Sequence, residues 1–131
     1  MPVTILMIDD ESLCLDSMGI ILEETKFNLI LAEGGVAGLN YVNAKPQNID
    51  IILLDMMMPD MHGLEVLAAI KNNPHTKHIP VIIQSGVATD GELKKAMDLG
   101  ATFNLRKPFK RKEILEALEI VLNIKAAEVI Q

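Results

Sequence analysis

Aromatic residues are scarce in this chain of 131 residues, which contains no tryptophan and only 3% aromatic side chains. Apolar residues nevertheless make up 50% of it, so a sizeable core can form from aliphatic side chains and methionine. Cysteine is also scarce, because Cys14 is the only one and an intramolecular disulfide is therefore excluded. We predict that Cys14 is a small buried hydrophobe of the first helix, not a reactive thiol.

The sequence also lacks long apolar runs and an excess of positive charge. No run approaches the roughly 20 residues that cross a bilayer, and no signal peptide precedes the first predicted strand. We therefore expect a cytoplasmic protein without a membrane segment. The net charge of −6 argues against nucleic-acid binding, which requires a basic patch.

Short aliphatic runs alternate with longer segments of helical period along the chain. The runs are apolar throughout, which is typical of parallel strands covered on both faces. They predict strands at Val3–Ile8, Asn28–Ala32, Asp50–Leu54, Pro80–Gln84 and Thr102–Leu105. The longer segments predict helices at Glu11–Glu24, Val36–Asn43, Gly63–Asn72, Asp90–Leu99 and Lys110–Ala127. This order predicts one α/β domain over residues 1–131, a doubly wound five-stranded parallel sheet with helices on both faces.

Polar side chains collect where the predicted strands end. Asp9 and Asp10 follow the first strand, and Asp55 follows the third. Ser85 follows the fourth strand, and Lys107 follows the fifth. Because ligands bind at the carboxyl ends of strands in such sheets, we expect these five side chains to share one site.

These residue types together are suited to phosphoryl chemistry. Three adjacent carboxylates repel one another unless their pKa values rise or a cation joins them. Their hard oxygen ligands favour Mg2+ over zinc or copper. A carboxylate can attack phosphorus and form an acyl phosphate, while a metal, Lys107 and the hydroxyl of Ser85 stabilise the anionic oxygens.

Four segments, in order along the chain, resemble the receiver domain of bacterial response regulators over nearly the whole length. Each segment is a weak signal by itself, but all four at the right strand ends are specific. They are the acidic pair in Ile8–Glu11, the phosphoacceptor segment Leu54–Pro59 followed by Met61 and Gly63, the hydroxyl-bearing strand Ile82–Gly86, and the Lys-Pro-Phe signature at Lys107–Phe109.

The resemblance implies a flavodoxin-like (βα)5 fold with strand order 2-1-3-4-5. It implies that Asp55 is the phosphoacceptor and that Ser85 and Lys107 contact the phosphoryl oxygens. It also implies a cis peptide bond between Lys107 and Pro108.

A bound Mg2+ ion is implied as well. Asp10 and Asp55 would bind it directly, together with the backbone carbonyl of Met57. Asp9 would act on the metal through water.

The leading hypothesis is therefore a phosphorylation-dependent switch. A histidine kinase or histidine phosphotransfer protein would supply the phosphoryl group, and a downstream effector or a fused output domain would bind the altered surface. A homodimer through the fourth helix, fifth strand and fifth helix is a further hypothesis, with Ile120 and Ile124 partly exposed there. The chain would not be an enzyme beyond self-phosphorylation and slow self-dephosphorylation.

Two other functions remain open. An interaction module could keep the fold and lose the switch, although the complete set of acids and lysine disfavours this. A phosphatase of the haloacid dehalogenase type would carry a second aspartate two residues after the nucleophile. Met57 stands at that position, which argues against the phosphatase hypothesis.

The three histidines carry no evident chemistry. His75 and His78 are predicted to be exposed loop residues, since no third metal ligand accompanies them. His62, just before Gly63, is also predicted to lie in a loop.

One position departs from the family pattern. Receivers usually carry Tyr or Phe three residues before the lysine of Lys-Pro-Phe, whereas this chain has Asn104. The neighbouring Phe103 should point to the opposite face of the strand. We therefore expect the aromatic half of the usual switch to be missing.

Overall fold

The computed structural model describes the backbone of residues 2–130 and the side chains of residues 2–126. Met1 and Gln131, the ends of the predicted domain, lie outside the described residues. The strands are β1 Val3–Asp9, β2 Phe27–Glu33, β3 Ile51–Asp55, β4 Val81–Ser85 and β5 Phe103–Arg106. The helices are α1 Ser12–Leu22, α2 Gly35–Ala44, α3 Gly63–Lys71, α4 Asp90–Leu99 and α5 Arg111–Ile130, with one 3-10 turn at Pro46–Asn48.

The five strands form one parallel sheet in the order β2-β1-β3-β4-β5, which confirms the predicted topology. The order reverses between β1 and β3, so the loops after these two strands leave in opposite directions. A crevice therefore opens at their carboxyl ends, where the predicted acidic residues lie.

Helix boundaries follow local capping chemistry. Helix α4 has the predicted bounds because Thr89 and Glu92 form a capping box at its start. At its end, Gly100 takes the left-handed conformation, with φ of 115°. Helix α1 ends two residues before the predicted Glu24, which itself has a left-handed φ of 59°. Helix α5 continues to Ile130, beyond the predicted end.

Two apolar clusters cover the two faces of the sheet. Side chains of α1 and α5 pack on one face, and side chains of α2, α3 and α4 pack on the other. The strand residues of the first cluster, here called the α1–α5 face, include Met7, Leu53, Ile82 and Leu105. No helix among the described residues combines the length and the apolar character needed to span a membrane.

In α1, the spacing of apolar residues predicts a buried stripe of Cys14, Met18, Ile21 and Leu22. Met18 and Leu22 are buried, but Leu15 joins them, whereas Cys14 and Ile21 are only partly buried. The buried side of α1 is therefore shifted by about one residue, and Cys14 lies at its margin.

In α5, the spacing predicts a buried stripe of Ile114, Leu115, Leu118, Val121 and Leu122. This prediction holds better, because Ile114, Leu118 and Val121 are buried, and Leu115 and Leu122 lie at the margins of the same cluster.

Candidate functional site

Four polar side chains extend the α1–α5 face beyond the end of the apolar core. Each of them lies two residues after a core residue of a strand. Side chains two residues apart along a strand point to the same face of the sheet. The sequence therefore places them side by side where the core ends. The pairs are Met7 and Asp9, Leu53 and Asp55, Ile82 and Gln84, and Leu105 and Lys107.

Asp9 is completely buried and is surrounded by donors. Its Oδ1 accepts a hydrogen bond from the backbone N–H of Glu11 at 3.0 Å. Its Oδ2 accepts from Nζ of Lys107 at 3.0 Å and from Nε2 of Gln84 at 3.4 Å. A buried carboxylate is tolerated only with such partners, so these three contacts hold the side chain of Asp9 in place.

Lys107 joins Asp9 to Asp55. Its Nζ lies 3.2 Å from Oδ1 of Asp55, which is 5% exposed. The backbone N–H of Lys107 donates to the carbonyl of Ser85 at 2.8 Å, which extends the pairing of β4 and β5 up to the site. The peptide bond between Lys107 and Pro108 is cis, as the family resemblance implied.

The charges of this group shift one another's ionisation. Burial, reinforced by the charge of Asp9, raises the pKa of Asp55 to about 6, and Lys107 opposes that rise. Burial alone would lower the pKa of Lys107, but the charges of Asp55 and Asp9 raise it above its ordinary value. Lys107 is therefore cationic throughout the range in which Asp55 titrates.

The acidic group has the composition and spacing of a site for a hard divalent cation. Carboxylate oxygens of Asp9, Asp10 and Asp55 all lie within 4.8 Å of one another. Oδ1 of Asp10 is buried, and no hydrogen-bond partner reaches it from the described part of the chain. An unpaired buried carboxylate oxygen is costly, and a bound cation with oxygen ligands would satisfy it. These residues therefore fit Mg2+.

The loop after Asp55 is held close to the strand end. The backbone N–H of Gly63 donates to the carbonyl of Met56 at 2.8 Å. A Cβ atom at position 63 would lie 2.6 Å from the carbonyl oxygen of Asp55, so any residue other than glycine would push α3 away. Met57 lies in this loop, and its side chain is half exposed.

Ser85 ends β4, and its hydroxyl contacts the turn that follows. It is buried at the end of β4, and its Oγ accepts a hydrogen bond from the backbone N–H of Ala88 at 2.8 Å. The structure therefore brings together the side chains of Asp9, Asp10, Asp55 and Lys107, while the Ser85 hydroxyl is engaged in the turn before α4.

Two functional candidates were missed by the sequence analysis. Gln84 contacts Asp9, and its position two residues after the buried Ile82 is the signal that could have identified it. His62 lies in the loop before α3, as predicted, but its side chain also caps that helix, with Nδ1 accepting from the N–H of Leu64 at 3.0 Å. Its Nε2 lies 3.1 Å from Oε2 of Glu92 in α4, a contact across 30 positions that no local pattern indicates.

A groove of about 520 Å³ lies beside the site, between α1 and the loop after Lys107. Cys14 lines it, with Sγ 3.7 Å from Nζ of Lys107. The predicted burial of Cys14 is thus only partly right, because Cys14 packs at the margin of the apolar cluster and also lines this groove. Burial nevertheless raises the pKa of the thiol. His75 and His78 are exposed, as predicted.

Comparisons with known proteins agree with this geometry. The model of the response regulator receiver domain family matches residues 5–119. The chain is 31% identical over 121 residues to the 3',5'-cyclic-nucleotide phosphodiesterase regA of Dictyostelium discoideum, covering 92% of this chain and 15% of that protein. It is 30% identical over 118 residues to the cell cycle response regulator CtrA of Brucella abortus, covering 90% of this chain and 49% of that protein. The chain thus spans less than half the length of these two relatives.

Solved structures show the same likeness over nearly the whole chain. A CheY-like response regulator receiver domain protein from Methanospirillum hungatei JF-1 has a TM-score of 0.85 and 29% identity, with 98% of this chain and 99% of that chain covered. The CheX-CheY-BeF3-Mg+2 complex from Borrelia burgdorferi has a TM-score of 0.86 and 28% identity, with 93% and 90% covered.

Proposed function

This chain belongs to the response regulator receiver domain family, and from that premise we propose that Asp55 is its phosphoacceptor and that Mg2+ is the cation bound beside it. The observation that carries the proposal is the position of Lys107, whose ammonium lies between the carboxylates of Asp9 and Asp55. Next to it, the unpaired buried oxygen of Asp10 offers a ligand for the metal.

In the proposed reaction, a carboxylate oxygen of Asp55 attacks the phosphorus of the donor. The bond between phosphorus and the donor's leaving group breaks, and the electron pair leaves with that group. Lys107 then contacts a phosphoryl oxygen and offsets its charge. Asp10, Asp55 and the carbonyl of Met57 would hold Mg2+, which would supply further charge neutralisation, and Asp9 would act on it through water.

We propose that Ser85 takes part through its own O–H. Its Oγ accepts from the N–H of Ala88, and a hydroxyl that accepts in this way can still donate. A phosphoryl oxygen on Asp55 is a strong acceptor, so the hydroxyl would turn to donate to it and draw Oγ away from the turn before α4. This movement would carry the signal from the acid site to the surface.

The partners follow from the chemistry of the family. We propose a histidine kinase or histidine phosphotransfer protein as the donor and a protein effector or fused output domain as the receiver of the signal. We further propose that residues 1–131 act as a single cytoplasmic receiver domain without enzymatic turnover beyond gain and loss of its own phosphoryl group. We also propose that this domain does not bind nucleic acid, because its net charge of −6 is unfavourable for contact with phosphates.

A mass measurement tests the proposal. Wild-type protein incubated with acetyl phosphate and Mg2+ should gain the mass of one phosphoryl group, and Asp55→Asn should not. Asp60→Asn is the matched control, because the nearby Asp60 carboxylate accepts from the N–H groups of Gly35 and Val36 rather than joining the site. Equal phosphate gain by Asp55→Asn would contradict the assignment.

The same experiment separates the two competing functions. An interaction module without a switch would gain no phosphate from any small acyl phosphate. A phosphatase would release phosphate repeatedly from an external phosphomonoester, and the exposed Met57 side chain offers no acid for that step.

A further inference from the structure

Gln84 is completely buried beside the acid site, although the chemistry proposed above does not use it. It lies on β4 next to Ser85 and pairs in register with Asp55 of β3. Its Nε2 donates to Oδ2 of Asp9 at 3.4 Å. This amide therefore contacts the carboxylate that Lys107 also contacts.

The other end of the amide has no partner. Oε1 of Gln84 is buried, and no hydrogen bond reaches it from the described residues. Leucine or methionine would fill a similar volume without leaving a polar atom unpaired, so packing alone does not account for glutamine here. What glutamine adds to the core is an N–H donor directed at Asp9.

Asp9 needs such a donor because its cation is shared. Nζ of Lys107 lies 3.0 Å from Asp9 and 3.2 Å from Asp55. A phosphoryl group on Asp55 would attract the ammonium toward its own oxygens. Asp9, which is completely buried, would then keep fewer donors, and a buried carboxylate that loses a partner is strongly disfavoured. Gln84 supplies a neutral donor to the same Oδ2 atom.

We infer that Gln84 is a positioning residue for phosphoryl uptake, because it holds the carboxylate of Asp9 while Lys107 turns toward the phosphoryl group. The inference rests on the proposed function of Asp55. Gln84 acts through Asp9 and Lys107, so it is not itself a catalytic residue.

The variant Gln84→Met tests this inference, since methionine keeps the length and the burial and removes the donor. The rate constant for phosphorylation by acetyl phosphate at saturating Mg2+ should fall three- to tenfold. A hydrogen bond to a charged group corresponds to about tenfold, and the distance of 3.4 Å, longer than usual, places the effect at or below that value. The melting temperature should change little, because removal of the unpaired Oε1 offsets the loss of one donor to Asp9, which keeps the N–H of Glu11 and Nζ of Lys107.

Thr76→Val is the matched control for loss of a buried hydrogen bond. Thr76 is buried in the turn before β4, and its Oγ1 donates to the carbonyl of Ile70 at 2.7 Å. This variant should lose stability and keep the wild-type rate. A purely structural role for Gln84 would instead make rate and stability fall together.

A second measurement uses the wild-type protein alone. The side-chain amide protons of Gln84 should shift downfield in NMR spectra when beryllofluoride and Mg2+ occupy the site, since the amide then bears more of the charge of Asp9. This result decides the question if Gln84→Met fails to fold, and an unchanged resonance would overturn the inference.

The outcomes distinguish this inference from the proposed function. If wild type gains phosphate on Asp55 and Gln84→Met gains it at the same rate, the role of Gln84 is overturned and the proposed function stands. If Gln84→Met slows only in proportion to a loss of folded protein, the role of Gln84 is also overturned. If wild type gains no phosphate, the proposed function itself fails.

Discussion

Nζ of Lys107 lies 3.2 Å from Oδ1 of Asp55, and this contact joins two residues that are 52 positions apart. The lysine comes from the end of β5 and the aspartate from the end of β3, so the contact exists only when the sheet is complete. It only partly offsets the burial of Asp55, whose pKa remains raised to about 6. The acid site is therefore expected to oppose folding when no cation is bound.

A pH dependence of stability follows from this pKa. The ordinary pKa of 3.8 applies in the unfolded chain, so the folded state holds the proton on Asp55 more tightly. Protonated Asp55 therefore contributes about 3 kcal/mol to the free energy of unfolding. This contribution is fully present below about pH 4 and is lost as the pH rises through about 6. Lys107 remains protonated across this range, so it does not change the pH dependence of the free energy of unfolding.

Denaturant unfolding in the presence of a chelator measures this effect. Between pH 4 and pH 7, the free energy of unfolding of wild type should fall relative to that of Asp55→Asn, and Mg2+ should restore it at pH 7. A difference between the two proteins that does not change with pH would contradict the prediction.

Asp10→Ala should weaken Mg2+ binding more than Ser85→Ala does. Loss of Asp10 removes a carboxylate whose Oδ1 is buried and otherwise unpaired, so both charge and coordination are lost. Loss of the Ser85 hydroxyl removes only an acceptor for the N–H of Ala88. Calorimetric titration with Mg2+ compares the two variants, and equal affinities would be inconsistent with a ligand role for Asp10.

The meeting of the polar residues at the strand ends could be predicted from the sequence, because a parallel sheet allows few arrangements of its strands. Once Asp9, Asp55 and Lys107 were each assigned to follow an apolar run, topology placed them at one edge. The helix faces were harder, since a one-residue error in phase separates a buried Cys14 from the observed one, which lies at the margin of the core beside the groove. In a helix such an error rotates a side chain by about 100°, and the pattern of apolar residues around Cys14 and Leu15 allows either phase.

Contacts between elements could not be predicted in this way. The amide of Gln84 was counted as part of a strand, and its polar character was not connected to the acidic site. The pair of His62 and Glu92 depends on how α3 and α4 pack, which the periodicity of neither helix specifies. A polar residue two positions beyond a buried strand residue is the local signal that could have indicated Gln84.

The pair of His62 and Glu92 is expected to restrain the start of α4. Glu92 belongs to the capping box of this helix, and the turn just before it holds Ser85. His62→Asn keeps a good N-cap for α3 and removes the contact with Glu92. We expect faster amide hydrogen exchange in the first turn of α4, with only a small loss of stability.

Two further variants control this experiment. His62→Ala should lose about 1 kcal/mol more, because the cap of α3 is lost as well. Asp98→Asn removes the exposed pair of Lys94 and Asp98 at the far end of α4 and should leave exchange in the first turn unchanged. Unchanged exchange in His62→Asn would show that the contact does not restrain α4.

Phosphorylation is expected to promote self-association through the exposed side of α5. Ile120 and Ile124 are 44% and 40% exposed, as predicted, and lie four residues apart on one side of the helix. Sedimentation with beryllofluoride and Mg2+ should show a dimer that Ile120→Lys weakens. Ile20→Lys on α1, where the side chain is 72% exposed, is the control and should not matter. A monomer at all concentrations, with and without beryllofluoride, would count against the dimer.

The last prediction concerns strand β5, where the usual switch aromatic is replaced by Asn104. Phe103 packs in the cluster of the α1–α5 face together with Leu105, so Asn104 points to the opposite face, next to Ile83 in register. Oδ1 of Asn104 is buried there, and it has no hydrogen-bond partner within the described residues. Phe103 lies on the other face of the sheet, so its ring is not placed to fill the space that Ser85 would leave on moving toward the phosphoryl group.

We therefore expect activation to change the hydrogen bonds of Asn104 and to leave the ring of Phe103 in place. Asn104→Leu should raise the free energy of unfolding by about 1 kcal/mol, because the unpaired amide oxygen is removed from the core. The same variant should gain phosphate on Asp55 at the wild-type rate, since Asn104 lies on the face away from the acid site. Structures with and without beryllofluoride and Mg2+ decide the conformational part. A Phe103 ring that turns to the α4 side on activation would contradict the argument that Phe103 and Asn104 point to opposite faces of β5. An Asn104 amide with the same hydrogen bonds in both structures would show that Asn104 takes no part in the response.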